Sequence, residues 1–501
     1  MRYTLVKYAA LATLTTGLFF DLTAAIDMPA ISGWAFGGPD HRLHYLIDSR
    51  GNSMMDFSFA GYRGGGVKLP AVAVVQRLTP ATGDNTARIQ AALDNATGAV
   101  VLAAGEYEVA GTLSITRSGV VLRGEKGANI HLTGKPHCFL EIQGVGTWRE
   151  EGPPAPILDD YVPAGADTFR VRGASDFHRG DHVLVLRPIT AEWIKFMGWN
   201  VLDRDSEART AISTGSVIRT DRVVKSSEGG RVTLDVPLSD ALDAQFTTAS
   251  LVRYSFPGRI REVGVEGLRI VAPGPQYKAL RIDAIEDGWI SDLEIQDAED
   301  GIAIGPGAKR LTLANVRIAH TVPNPGSTKP TDFALQGTQI LLDRCRVTGE
   351  GARPVVTQSA ATGPLVVLNF TADHGGVAPD EGWATGLLVD NGQFPGGTER
   401  TPGIAFSYSA TAGSGYGGIG WAVAWNVRSP FLWVQQPPGA LNWCIGCLGA
   451  PVMIGSMPNA IFDSLGKMVA PSSLYLQQLR DRLGPEAVQN TGYSESTAKL
   501  L

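Results

Sequence analysis

The sequence predicts an all-β chain wound as a right-handed parallel β-helix, on three observations. Glycine supplies 60 of 501 residues, roughly 12% against a usual ~7%, and charged residues only 18% against a usual ~25%. Its aliphatic segments alternate with period 2 rather than 3.6, which reads as strand. These segments also recur. Leu268-Arg269-Ile270, Leu293-Glu294-Ile295, Val316-Arg317-Ile318, Cys345-Arg346-Val347 and Phe370-Thr371-Ala372 follow one another at steps of 25, 23, 29 and 25 residues. Short strands at such a period form a solenoid, because no single coil buries its own apolar face. The same composition excludes a helical bundle, a coiled coil and a disordered chain. A net charge of −6 and pI ≈ 5.8 carry no nucleic-acid footprint. Four cysteines in so long a chain exclude a disulfide-dense scaffold.

The elements follow in order. Residues 1–25 start with Arg2 and Lys7, continue through an apolar Tyr8–Phe20 and end in small residues at Thr23, Ala24 and Ala25. This is the pattern of a secretory signal peptide, with an uncleaved anchor as the alternative. The mature protein is expected to be secreted or periplasmic, without a membrane span. Residues 26–80 read as an N-terminal arm, with a turn at Tyr62-Arg-Gly-Gly-Gly66. Residues 81–139 hold a cap and the first coils. Asp84–Asp94 has the apolar spacing of a short helix, with Asp84 able to cap it. Residues 140–257 break the coil rhythm, and Phe169–Arg172, His182–Leu186 and Arg231–Val236 suggest an inserted antiparallel module. Its tip, Ile189–Leu202, carries Trp193, Lys195, Met197 and Trp199 as a packing wedge or a substrate lid. Residues 258–460 are the main coils. Residues 461–501 are a tail with a helix near Ser472–Leu483 that would shield the last coil. Cys444 and Cys447 make a local disulfide in an oxidising compartment, or two buried thiols.

Alternation also says what points outward. Flanking the first core position of each coil are Gly267 and Arg269, Asp292 and Glu294, Asn315 and Arg317, Arg344 and Arg346, Asn369 and Thr371. Side chains that share a strand face stack from coil to coil. Arginines in such a column suit carboxylate-bearing ligands, since a guanidinium binds a carboxylate through two hydrogen bonds. The alternative is ordinary solvated charge on a solenoid surface.

Asp84–Asp94, then Ala99-Val-Val-Leu-Ala-Ala-Gly-Glu-Tyr107, Leu113–Ile115 and Ser118-Gly-Val-Val-Leu-Arg-Gly-Glu125 fall in the order of cap, turn and strand that opens pectin-lyase-like β-helix proteins. The chain resembles that family over roughly residues 70–135 and 258–450. A closer likeness, to secreted bacterial members of the pectate lyase superfamily of unassigned specificity, rests on four segments. They are Asp56-Phe-Ser-Phe-Ala-Gly-Tyr-Arg-Gly-Gly-Gly66, Glu192-Trp-Ile-Lys-Phe-Met-Gly198, Trp383-Ala-Thr-Gly-Leu-Leu-Val-Asp-Asn391 and Asn442-Trp-Cys-Ile-Gly446. The resemblance implies a histidine and an arginine just before the Trp-Ala-Thr-Gly block. Here those places hold Asp380 and Gly382. The family likeness fixes a fold more than a chemistry.

The resemblance and the arginine column together lead to an acidic, uronate-containing polysaccharide as partner and to cleavage by β-elimination. That reaction neutralises a carboxylate, removes the C5 proton and protonates the leaving oxygen. The long excursion Ala319–Phe333 leaves the coil beside the arginines, where loops on a rigid scaffold gather sites. It offers His320, Lys329 and Asp332. The base is Lys329 or His320, with a pKa lowered by neighbouring cations. Arg344 is the neutralising group and His374 the acid. Arg317, Arg346 and Lys195 are substrate-binding candidates. Trp383 and Trp421, beside glycine-rich turns, are the sugar-stacking candidates, whereas Trp425 and Trp443 read as packing. Ca²⁺ is a candidate cofactor on Asp332, Asp373 and Asp390. The rivals are a glycoside hydrolase using Asp373, Asp380, Glu381 and Asp390, and a non-catalytic carbohydrate-binding surface protein.

Overall fold

The structure is a computed structural model. It describes residues 29–199, 212–274, 276–322, 330–351, 353–380, 382–407, 417–453 and 457–494. The signal-peptide segment, Lys329 and Glu381 lie outside the described residues. Among those described, no helix is long and apolar enough to cross a membrane.

The coils form a right-handed parallel β-helix of three sheets, with 14, 10 and seven strands. The five segments with the regular spacing stack in the seven-stranded sheet, in the register Arg269, Glu294, Arg317, Arg346, Thr371. Inside, the inward residues of all three sheets join one hydrophobic core from Leu78 to Ala460. On leaving the strands of the fourteen-stranded sheet the chain turns through a single left-handed residue. Gly267, Asp292, Asn315, Arg344, Asn369, Asn391, Asn426, Gly446 and Ser464 occupy this corner at φ 50–67°. Asn, Asp and Gly tolerate that conformation best, which accounts for most of the column.

The insertion is confirmed by the coils on either side of it. Val121–Gly124 pairs directly with Gly264–Glu266, and Cys138–Gln143 with Lys278–Asp283, as though the residues between were absent. Those residues build a six-stranded sheet whose strand pairs are antiparallel. Helix α1 (Thr86–Asn95) buries Ile89, Ala92 and Leu93 in the start of the core. Asp84 accepts from Thr86 N at 2.9 Å and Ala110 N at 3.1 Å, tying the helix to its coil.

The outer face of the fourteen-stranded sheet is covered. Met54, Met55 and Phe57 of the arm, helix α2 (Ala191–Phe196) of the insertion, and helices α3 (Leu474–Leu483) and α4 (Pro485–Asn490) share one apolar cluster with Leu341, Val366, Trp383, Trp421, Trp425 and Trp443. The C-terminal helix therefore lies along this face instead of shielding the final coil. Trp193 and Met197 are buried packing groups, so the insertion tip is the wedge.

Carboxylates fasten each covering piece, those of Asp343 and Asp390 buried. Asp343, Asp390 and Asp463 share one register position of the sheet. Asp463 accepts from Ser32 Oγ at 2.7 Å and Gly33 N at 2.8 Å in the arm. Asp390 accepts from Ser473 Oγ at 2.7 Å and Tyr475 N at 2.8 Å at the start of α3. Asp343 accepts from the Tyr493 hydroxyl. From the insertion, Asp240 accepts the indole N–H of Trp383 and of Trp421, each at 3.0 Å. Cys444 and Cys447 are fully buried free thiols.

Candidate functional site

The seven-stranded sheet keeps an open outer face. Along it runs a depression of ≈ 680 Å³ lined by Arg269, Glu294, Arg317, Arg344, Arg346 and Asn369, among others. Register explains the gathering: each coil delivers one residue per strand position, one strand spacing, roughly 4.8 Å, from the last. The predicted arginines thus meet in one trench. They are partly balanced by acids. Glu294 lies 3.9 Å from Arg269 and 3.4 Å from Arg317, and Asp373 lies 3.4 Å from Arg346. Arg317 and Arg346 keep 69% and 55% of their side-chain surface exposed. Exposed pairs of this kind are worth about 0–1 kcal/mol and exchange readily for a ligand carboxylate.

Arg344 differs. Its guanidinium is 2.6 Å from the buried Asp343 carboxylate, donates to the Thr491 carbonyl at 3.0 Å and lies 4.7 Å from the centre of the Tyr493 ring. Its charge is already neutralised, so it does not serve as the free carboxylate neutraliser the sequence suggested. Nothing local in the sequence links residues 344 and 493.

At the trench edge, His320 follows Ala319 and meets Asp332 across the excursion, Nε2 to Oδ1 at 2.8 Å. The His320 side chain is 7% exposed and that of Asp332 is wholly buried. Burial opposes charge on His320, but the carboxylate outweighs it and holds the pKa above the ordinary imidazole value. The expected lowering is therefore reversed. Burial pushes Asp332 above the usual carboxylate range, against the pull of the His320 hydrogen bond. Asp332 thus orients His320 and favours its charged form. This partnership, 12 residues apart across a loop, has no sequence signature.

His374 is half-exposed, 3.5 Å from Glu350. It stands about two coils beyond His320, roughly 10 Å along the stacking direction. Asp380 forms an ion pair with Arg353, whose guanidinium also donates to Thr331 Oγ1 at 3.0 Å. Gly382 has φ 69°, where an arginine would be strained.

Four predicted roles fail on geometry. Trp383 and Trp421 are 2% and 4% exposed beneath the insertion, with both indoles tied to Asp240, so neither offers a face to a sugar. Lys195 is exposed on α2, which packs against the fourteen-stranded sheet, and it is not among the trench residues. Asp390 is buried under α3. Asp332, Asp373 and Asp390 do not converge, and no group of three or more His, Cys, Asp or Glu among the described residues is placed to hold a metal ion. These residues do not fit a calcium site.

No family model matches the chain, and no curated protein matches it. Among solved structures, the tailspike protein gp49 of Pseudomonas phage LKA1 is similar at 16% identity and TM-score 0.46, over 73% of this chain and 56% of that one. The chain therefore spans a little over half the length of that tailspike. A tailspike of E. coli bacteriophage HK620, solved with a pentasaccharide, is similar at 10% identity and TM-score 0.36, over 77% and 63%. The catalytic domain of a GH87 alpha-1,3-glucanase, in complex with nigerose, is similar at 8% identity and TM-score 0.30, over 79% and 65%. The three-sheet solenoid stands on its own strand pairing.

Proposed function

We propose that the protein is a secreted, pectate-lyase-like enzyme that binds an acidic, uronate-containing polysaccharide along the arginine trench and cleaves it by β-elimination. The observation that carries this reading is the stacking of Arg269, Arg317 and Arg346 from three coils on one open face, ending beside a histidine held by a buried carboxylate. Guanidinium groups pair with the uronate carboxylate, which acidifies the neighbouring C–H. His320, in its neutral form, takes the C5 proton. The electron pair forms the C4–C5 double bond as the C4–O bond breaks, and the leaving oxygen takes a proton from water or from His374. Because Asp332 raises the His320 pKa, the neutral base accumulates only as pH rises through that raised value.

Binding without cleavage is the second reading, favoured by the 7% exposure of the His320 side chain. The two separate in one assay. Incubation with uronate polymers yields ultraviolet absorbance from unsaturated ends if elimination occurs. New reducing ends without absorbance indicate hydrolysis. Saturable binding with neither supports the second reading, and the absence of binding to any of them refutes both.

A further inference from the structure

After α4 the chain returns to the trench. The Thr491 carbonyl accepts from Arg344 Nη2 at 3.0 Å, and the Tyr493 ring lies 4.7 Å from the same guanidinium. Between them Gly492, at φ 82°, passes so close that an added Cβ would sit 3.1 Å from Arg344 Nη1. The Tyr493 hydroxyl donates to Asp343 and accepts from Asn369 Nδ2 at 2.7 Å. Arg344 and Asn369 both line the trench. The Arg344 side chain is 35% exposed, against 69% for Arg317 and 55% for Arg346. The polar contacts of Thr491 and Tyr493 with the coils thus centre on the trench rim. The Tyr493 ring also packs against the edge of the apolar cluster beneath α3 and α4, whereas the contacts with Arg344, Asp343 and Asn369 are polar or cation–ring contacts that a competing anion can displace.

We propose that the segment Thr491–Tyr493 is a strap on the trench rim, latched by Tyr493, that withholds Arg344 from an anionic ligand until it is released. This rests on the trench being the polyanion site. An incoming carboxylate competes with the Thr491 carbonyl and Asp343 for the Arg344 N–H groups, and the Tyr493 ring must move aside for it to reach them.

The test uses the full chain and its Tyr493→Phe and Tyr493→Ala variants. Tyr493→Phe keeps the ring and loses only the hydroxyl contacts, so it covers the case in which Tyr493→Ala folds poorly. The first readout needs no ligand. Phenylglyoxal labels exposed arginines, and peptide mapping gives the rate at Arg344 relative to Arg317. The expected order is wild type slowest, Tyr493→Phe faster, and Tyr493→Ala faster by about fivefold, equivalent to roughly 1 kcal/mol. The second readout is affinity for polygalacturonate and alginate, expected to rise by about the same factor in Tyr493→Ala. Unchanged labelling with intact polymer binding overturns the strap alone. Faster labelling with unchanged affinity overturns the withholding of Arg344. Failure of wild type and variants alike to bind either polymer removes the strap together with the proposed trench ligand.

Discussion

Asp390 offers a quantitative test of how the C-terminal segment is held. Its carboxyl is fully buried beneath α3, where it accepts from Ser473 and Tyr475. Burial pushes its pKa from 3.8 to about 7, with those donors opposing the shift. A raised folded-state pKa means that the native protein holds the proton more tightly than the unfolded chain. The associated stability is fully present below the unfolded value and is lost as pH rises through about 7. A rise from 3.8 to about 7 corresponds to about 4 kcal/mol. Asp390→Asn keeps a carbonyl oxygen for Ser473 and Tyr475 and cannot ionise. Urea unfolding, followed at roughly pH 5 and pH 8.5, spans the upper part of the window. Wild type should lose about 3 kcal/mol more than the variant between those two conditions, the rest of the loss falling below pH 5. Equal pH dependence of the two proteins would refute the reasoning, because the carboxyl would then be ionised in the folded state at both.

The remaining predictions concern the trench and its supports. Arg317→Gln and Arg346→Gln should each weaken uronate-polymer binding by roughly fivefold, about 1 kcal/mol, as measured by titration calorimetry, and reduce its salt sensitivity. Asp332→Asn should lower the His320 pKa and shift the rising limb of the pH–rate profile to lower pH, with kcat falling more than KM changes. Asp240→Ala strands the buried Arg187, 3.2 Å from that carboxylate, and two indole donors. It should cost about 3–5 kcal/mol in denaturant unfolding, whereas Asp240→Asn should cost less. Calcium chelation should leave polymer binding by the trench unchanged, since its carboxylates pair with arginines.

What the sequence made legible is what repeats. Period-2 alternation and the coil spacing place Arg269, Glu294, Arg317 and Arg346 correctly on one face, because a parallel ladder keeps register from coil to coil. The insertion was legible as a break in that rhythm. What failed depends on contacts between distant segments. Trp383 and Trp421 sit beside glycines, as exposed platforms would, yet the arm, the insertion and the C-terminal helices cover the sheet that carries them. Arg344 repeats like its neighbours but is captured by Tyr493. His320 and Asp332 were both legible as candidates, while their pairing, which reverses the expected pKa shift, depends on how the excursion closes.

Calorimetric titration of wild type and the Arg317→Gln/Arg346→Gln double variant, with uronate polymers and with the same polymers after carboxyl reduction, probes the trench most directly. The acidic polymer should bind wild type, bind the double variant at least tenfold more weakly (roughly 1.4 kcal/mol), and lose its affinity on carboxyl reduction. Equal binding of acidic and reduced polymers, or a double variant that binds as wild type does, would contradict the reading of the trench as a carboxylate site.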